Sequence, residues 1–124
     1  MANILIVEDE GDIAELYRLF LQSEGHTVVG VYADPNEALG EAGRRAAPDL
    51  VILDERLGGR SGSAYLPDFR AAFRGSKVLL VSADPDAVRD AERTGFDEGK
   101  RKPVTLRHLL ENISGLLRRP RRGE

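Results

Sequence analysis

Four short apolar runs punctuate the chain, and each runs directly into polar residues. They are Ile4-Leu5-Ile6-Val7 before Glu8-Asp9-Glu10, Thr27 to Tyr32 before Asp34, Leu50-Val51-Ile52-Leu53 before Asp54, and Lys77 to Val81 before Ser82. Each run predicts a strand, and Ile4 to Val7 and Leu50 to Leu53, unbroken and made of Ile, Leu and Val, predict strands buried on both faces, as in a parallel sheet. Between them the apolar residues recur at helical spacing. Ile13, Leu16, Tyr17, Phe20 and Leu21 predict a first helix that stops at Gly25, with Asp12-Ile13-Ala14-Glu15 in capping-box spacing at its start. Asp34-Pro35-Asn36-Glu37 offers a cap, a first-turn proline and an acid, and predicts a second helix to about Ala46. Gly40 and Gly43 weaken that helix by roughly 1 kcal/mol each relative to alanine. A third helix is expected over about Ser63 to Phe73, with Pro67 either kinking it or lying in its first turn. Asp84-Pro85-Asp86 starts a fourth, running to about Thr94 with Gly95 as its stop. Residues 97–102 make a poor fifth strand by composition. A last amphipathic helix, over about 104–118, carries Leu106, Leu109, Leu110, Ile113, Leu116 and Leu117. Strand-helix units repeated five times predict an α/β domain whose parallel sheet is covered by helices on both faces.

Composition narrows this picture. With 124 residues, 41% hydrophobic and 31% charged, the chain is sized for one soluble globular domain, with no output module expected to follow. No apolar run approaches the roughly 20 residues that span a bilayer, so no membrane insertion is expected. Met1-Ala2-Asn3 is not a signal sequence, which points to a cytoplasmic protein. The absence of cysteine excludes disulfides, thiol catalysis and thiolate metal sites. The net charge of −3 is unevenly spread: residues 118–124 hold four arginines and one glutamate, leaving 14 basic against 20 acidic residues, a net of −6, on the rest. An acidic body argues against direct DNA binding by the domain, because phosphate backbones demand positive patches.

The chemistry gathers at the strand ends. Parallel strands present all their carboxyl ends on one rim, where open α/β sheets keep their sites, so Glu8, Asp9, Asp54, Ser82 and Lys102 can converge there. Carboxylates held together repel, and the relief is a raised pKa or a shared divalent cation. Oxygen-only, partly solvated ligands suit Mg²⁺. A carboxylate facing that ion can act as a nucleophile towards phosphorus, with lysine and serine holding the phosphoryl oxygens.

These residues resemble the receiver domain of two-component response regulators. The matching pieces are Glu8-Asp9 after Ile-Leu-Ile-Val, Asp54 after Leu-Val-Ile-Leu, Ser82-Ala83 after Val-Leu-Leu-Val, and Lys102-Pro103. Their order and spacing agree over essentially the whole chain. The resemblance implies a flavodoxin-like (βα)5 fold of strand order 2-1-3-4-5, with residues 1–118 as the receiver and 119–124 as a basic tail. It implies that Asp54 accepts a phosphoryl group from a sensor histidine kinase or a phosphotransfer protein. Asp9, Glu8 through water, Asp54 and the Arg56 carbonyl would hold Mg²⁺. Ser82 would be the switch hydroxyl, Ala83 its small neighbour, and Lys102 the partner of Asp54 or its phosphate, followed by a cis bond to Pro103. The domain would then signal by contact with a downstream protein, whose identity and any weak homodimer are left open.

Departures from the family's pattern matter for readout. The aromatic usual three residues before the lysine is Gly99, the fifth strand carries Lys100 and Arg101, the proline common after the acceptor loop's leucine is Gly58, and Val104 stands where an aromatic often follows Lys-Pro. Two alternatives therefore stay open beside the switch: a phosphorylation-independent binding module and a phosphate sink or relay. An aspartyl phosphohydrolase would want an acid two residues beyond its nucleophile, where this chain has Arg56. The plainer expectations are helix caps at Asp12, Asp34 and Asp84, loop or rim charges at Glu10 and Glu55, and structural or exposed roles for His26 and His108. Tyr17 and Phe20 are expected on the core side of the first helix, and the basic tail is expected to be solvated.

Overall fold

The computed structural model describes residues 1–44, 47–57 and 59–120. In chain order its elements are β1 (Asn3–Val7), α1 (Gly11–Ser23), β2 (Thr27–Tyr32), α2 (Pro35–Leu39), β3 (Leu50–Asp54), β4 (Arg56–Leu57), β5 (Arg60–Ser61), α3 (Gly62–Ala72), β6 (Lys77–Ser82), α4 (Pro85–Arg89), α5 (Ala91–Thr94), β7 (Glu98–Arg101) and α6 (Leu106–Arg118). Five strands form a parallel sheet in the order β2-β1-β3-β6-β7. Leaving aside the small β4-β5 hairpin, this is the flavodoxin-like order 2-1-3-4-5. Central strands β1, β3 and β6 are almost wholly buried, while β2 and β7, at the edges, are half-exposed.

Alternation along the central strands divides the core into two layers. Leu5, Val7, Val51, Leu53, Val78 and Leu80 pack against Tyr65, Leu66, Phe69 and Phe96, below the α2–α5 side. Their neighbours Ile4, Ile6, Leu50, Ile52, Leu79 and Val81 face Ala14, Tyr17, Leu21, Leu109, Ile113 and Leu116 of α1 and α6. Runs apolar at every position are thus runs that fill two cores at once. Tyr17 lies in this core and Phe20 at its margin, as the helical stripe predicts.

Several local expectations need correction. Asp12 does not cap α1: it sits inside the first turn, the N-cap is Glu10, and no side chain bonds the exposed amides. Asp34 and Asp84 do cap, accepting from the amides of Asn36 and Asp86 at 2.9 Å each. Helix α2 ends at Leu39 instead of continuing towards Ala46, which lies outside the described residues; Gly40 and Gly43, the latter at φ 84°, end it within two turns. The fourth helix is broken at Asp90 into α4 and α5, with Gly95 stopping the second piece as foreseen. Pro67 lies inside α3, past the first turn. The loop after Asp54 forms a hairpin, with Arg56 opposite Ser61 and Leu57 opposite Arg60; Gly58 lies outside the described residues. Composition notwithstanding, Glu98–Arg101 pairs in register with β6, because an edge strand tolerates charge. Arg119 is no loose end. Its carbonyl accepts from the buried Lys77 ammonium at 2.8 Å and its guanidinium donates to the Asp97 carbonyl at 3.1 Å, while residues 121–124 lie outside the described residues. His26 is structural, Nδ1 accepting from the Ala2 amide at 3.3 Å, and His108 is exposed.

Candidate functional site at the carboxyl rim of the sheet

Strands β1, β3, β6 and β7 end side by side, and their terminal residues meet. Glu8, Asp54 and Ser82 are 2%, 5% and 2% exposed, an unusual burial for the two acids. The Lys102 ammonium, just beyond β7, stands 2.8 Å from Glu8 Oε1 and 3.4 Å from Asp54 Oδ2. The Lys102-Pro103 bond is cis. The Lys102 amide also donates to the Ser82 carbonyl at 2.8 Å, so the lysine is fixed through its main chain to the strand that carries the serine. The Ser82 Oγ accepts from the Asp84 amide at 3.0 Å, leaving its own proton to be donated.

Electrostatics separate the two buried acids. Burial, then a side-chain hydrogen bond and the charge of Glu8, push Asp54 up to about 7, against the pull of Lys102. Burial pushes Glu8 up as well, but its hydrogen bonds with Lys102, Asp54 and the Glu10 amide outweigh burial and hold it below its ordinary value. Burial lowers Lys102, and its bonds and charges with Glu8 and Asp54 more than restore it, so it stays protonated. One ammonium cannot neutralise two carboxylates. The unbalanced charge falls on Asp54, the carboxyl that the pair makes harder to ionise.

Carboxylate oxygens of Glu8, Asp9 and Glu10 lie within 4.8 Å of one another. Glu8 is buried, while Asp9 and Glu10 are exposed. An all-oxygen set, anionic in excess and open to water on one side, fits a hard divalent cation such as Mg²⁺. Glu10, expected as a loop acid, thus stands in this group, and its amide donates to Glu8 Oε2 at 3.1 Å. Arg56 is exposed, and its amide approaches Asp54 Oδ1 only at 3.5 Å. Ala83 is exposed beside Ser82.

Two supporting residues escaped the sequence reading. Gly62 opens α3 against the main chain of β3: a Cβ there would stand 2.2 Å from the Asp54 carbonyl oxygen, and its amide donates to the Glu55 carbonyl at 2.7 Å. A glycine at a strand exit was visible in the sequence; what it touches was not. Glu55, expected as a rim charge, accepts from the amide of Ser63 at 2.8 Å and from its hydroxyl at 3.0 Å, and so holds the start of α3 against the loop after Asp54.

An apolar groove of about 610 Å³ adjoins the site, lined by Ile13, Leu16, Tyr17, Val104 and Leu106, with Lys102 at its edge. Leu16 is 50% exposed there. Among the described residues, no helix is long and apolar enough to cross a membrane.

Comparison with known proteins agrees with this geometry. The sequence profile of the response regulator receiver domain matches residues 4–114. The chain is 37% identical over 123 residues to the sensory transduction protein RegX3 of Mycolicibacterium smegmatis, spanning 96% of this chain and 52% of that protein. It is 34% identical over 120 residues to the probable transcriptional regulatory protein TcrX of Mycobacterium tuberculosis, spanning 94% and 50%. The chain therefore spans about half the length of these curated relatives. Among solved structures, a CheY-like response regulator receiver domain protein from Methanospirillum hungatei superposes with a TM-score of 0.83 at 27% identity, covering 94% of each chain. The response regulator protein TrrA from Thermotoga maritima, in complex with Mg²⁺ and BeF, superposes with a TM-score of 0.80 at 31% identity, covering 94% of this chain and 99% of that one.

Proposed function

Because the chain belongs to the response regulator receiver-domain family, we propose that Asp54 accepts a phosphoryl group from a phosphohistidine of a sensor kinase or phosphotransfer protein, and that the domain then signals by protein contact. The observation that carries this reading is the ammonium of Lys102, within 3.4 Å of Asp54 and 2.8 Å of Glu8, beside a buried hydroxyl with a proton to give. A carboxylate oxygen of Asp54 attacks phosphorus, the phosphorus–nitrogen bond to the histidine breaks, and the imidazole leaves with its electron pair and takes up a proton. Only ionised Asp54 is a nucleophile, and the Lys102 ammonium beside it favours that form. Lys102 and the Ser82 hydroxyl then hold phosphoryl oxygens. Glu8, Asp9, Asp54 and the Arg56 carbonyl would hold Mg²⁺, which when bound neutralises charge on the carboxylates and on the transferred group; the excess of acid over base at this rim supports that role.

The donor must bring its phosphohistidine over Asp54, and the groove beginning at Lys102 is continuous with the site. A donor protein presenting an apolar helical face to Ile13, Leu16 and Leu106 satisfies both. The test is intact mass after treatment with a small phosphodonor and Mg²⁺. One phosphoryl group is expected on the wild type and none on Asp54→Asn. Equal labelling of both moves the acceptor elsewhere; no labelling of either leaves a phosphorylation-independent binding module.

A further inference from the structure

On edge strand β7, Gly99 stands opposite Leu80 of β6. The turn that ends α4 and begins α5 lies against it more closely than a side chain allows. A Cβ at position 99 would be 2.6 Å from Ala91 Cβ, 3.1 Å from the Val88 carbonyl oxygen and 3.4 Å from Val88 Cα. The Ala91 Cβ has no rotamer to move to and the Val88 carbonyl oxygen is main chain, so alanine fits only if the helical segment moves. The φ of Gly99 is negative, so the requirement is space and not backbone freedom.

Val88 is tied back to the carboxyl rim. Its amide donates to the Asp84 carbonyl at 3.2 Å. Asp84 in turn caps α4 through Asp86 at 2.9 Å, and its own amide donates to Ser82 Oγ at 3.0 Å. Ser82 is the hydroxyl of the Asp54 site, and its carbonyl is held by the Lys102 amide at 2.8 Å. A short, closed circuit runs from Gly99 through Val88 and Asp84 to Ser82, and back along β7 through Lys102.

We propose that Gly99 is a positioning residue for Ser82: its missing side chain seats α4 directly on β7, and the seated helix, through the Asp84 amide, aims the Ser82 hydroxyl at the Asp54 rim. The chemical consequence rests on the reading of Asp54 as phosphoacceptor. Coupling of this kind is reciprocal, so a phosphoryl group that draws the Ser82 hydroxyl towards itself loosens α4 at the Gly99 contact. The site then has a route to the outer face of α4 that needs no side chain at position 99.

The test uses the full chain with Gly99→Ala, Ala91→Gly/Gly99→Ala and Ser82→Ala, alone and combined with Gly99→Ala. One readout, the amide resonance of Asp84, is independent of phosphorylation; the other is the rate of mass gain from acetyl phosphate with Mg²⁺. Gly99→Ala is expected to shift the Asp84 amide and slow phosphorylation roughly fivefold to tenfold, the effect of misplacing one hydrogen bond in the transition state. Ala91→Gly, which withdraws the atom at 2.6 Å and leaves the Val88 carbonyl oxygen at 3.1 Å, should restore both in large part. In the Ser82→Ala background Gly99→Ala should have no further effect on the rate. An unmoved Asp84 amide in Gly99→Ala overturns the proposal, as does equal slowing with and without Ser82. Should Gly99→Ala not fold, the Ala91→Gly/Gly99→Ala protein carries the test, and its failure to fold as well would overturn the seat. A wild type that gains no mass, with the Asp84 amide shifted by Gly99→Ala and returned by Ala91→Gly, overturns the phosphoacceptor reading while supporting the seat.

Discussion

Asp54→Asn exchanges a carboxyl for an amide of the same shape at a position only 5% exposed. Burial and the Glu8 carboxylate hold Asp54 at about 7 in the fold, against an ordinary 3.8. The folded domain therefore keeps a proton that the unfolded chain releases, and native stability declines as the pH rises through that window. At about 1.4 kcal/mol per pH unit, this loss grows from under about 1 kcal/mol near pH 4 to about 4 kcal/mol near pH 8, and is level above it. Asparagine has no such ionisation. Glu8, whose carboxyl lies below its ordinary value, works in the opposite sense, stabilising the fold above its unfolded pKa and losing that contribution in acid. It keeps its Lys102 partner in the variant, so it largely drops out of the difference. The variant should thus gain about 3 kcal/mol on the wild type between about pH 4 and pH 8. Urea unfolding followed by far-UV circular dichroism reads this without a tryptophan, which the chain lacks. With slopes of about 1–3 kcal/mol per molar urea, the gap between midpoints should widen by about 1–3 M over the range. A gap that stays constant, or narrows, with rising pH refutes the upward push on Asp54 by burial and Glu8.

The remaining predictions concern the supports of the site. Mg²⁺ should raise the thermal midpoint of the wild type, by about 2.7 kcal/mol of stabilisation at a hundredfold excess over the dissociation constant, and Asp9→Asn should abolish that rise; an equal rise in both proteins refutes Asp9 as a ligand. Gly62→Ala places a Cβ 2.2 Å from the Asp54 carbonyl oxygen and should cost about 1–3 kcal/mol in urea unfolding while slowing phosphorylation; unchanged values on both counts would show that the α3 start does not bear on the acceptor. Arg70 donates to the carbonyls of Ser76 and Gly95 and to the Asp97 carboxylate at 2.7–2.9 Å. Arg70→Ala should lower stability by about 3 kcal/mol with the phosphorylation rate unchanged, because these bonds lie at the opposite end of the sheet from Asp54; a slowed rate would show that this end also bears on the acceptor.

The apolar runs alone determined the layered α/β fold, because a residue triplet such as Leu5, Ile6 and Val7 can be buried throughout only where helices cover both faces of a sheet. The positions of Glu8, Asp9, Asp54, Ser82 and Lys102 at strand ends were legible for the same reason: parallel strands share one rim, so sequence order alone predicts that their ends converge. Caps at Asp34 and Asp84 and stops at Gly25 and Gly95 were legible too, since local hydrogen bonds and positive φ values are set by neighbours in sequence.

What the sequence did not determine depends on partners distant along the chain. Asp12 had the right spacing to cap α1, yet Glu10 occupies that position, because the exit of β1 decides where the helix begins. The charged segment 98–101 became a strand only because the β6 edge was there to pair with it. Glu55 ties down α3 through contacts with Ser63 that no spacing rule reports. Gly62 and Gly99 make the same point most sharply. In the sequence each is merely a small residue, at a loop and in a poor strand; in the fold each marks a place where one main chain rests on another, against Asp54 and against Val88. Local chemistry named the groups of the site, and only tertiary packing decided how closely the surrounding backbone holds them.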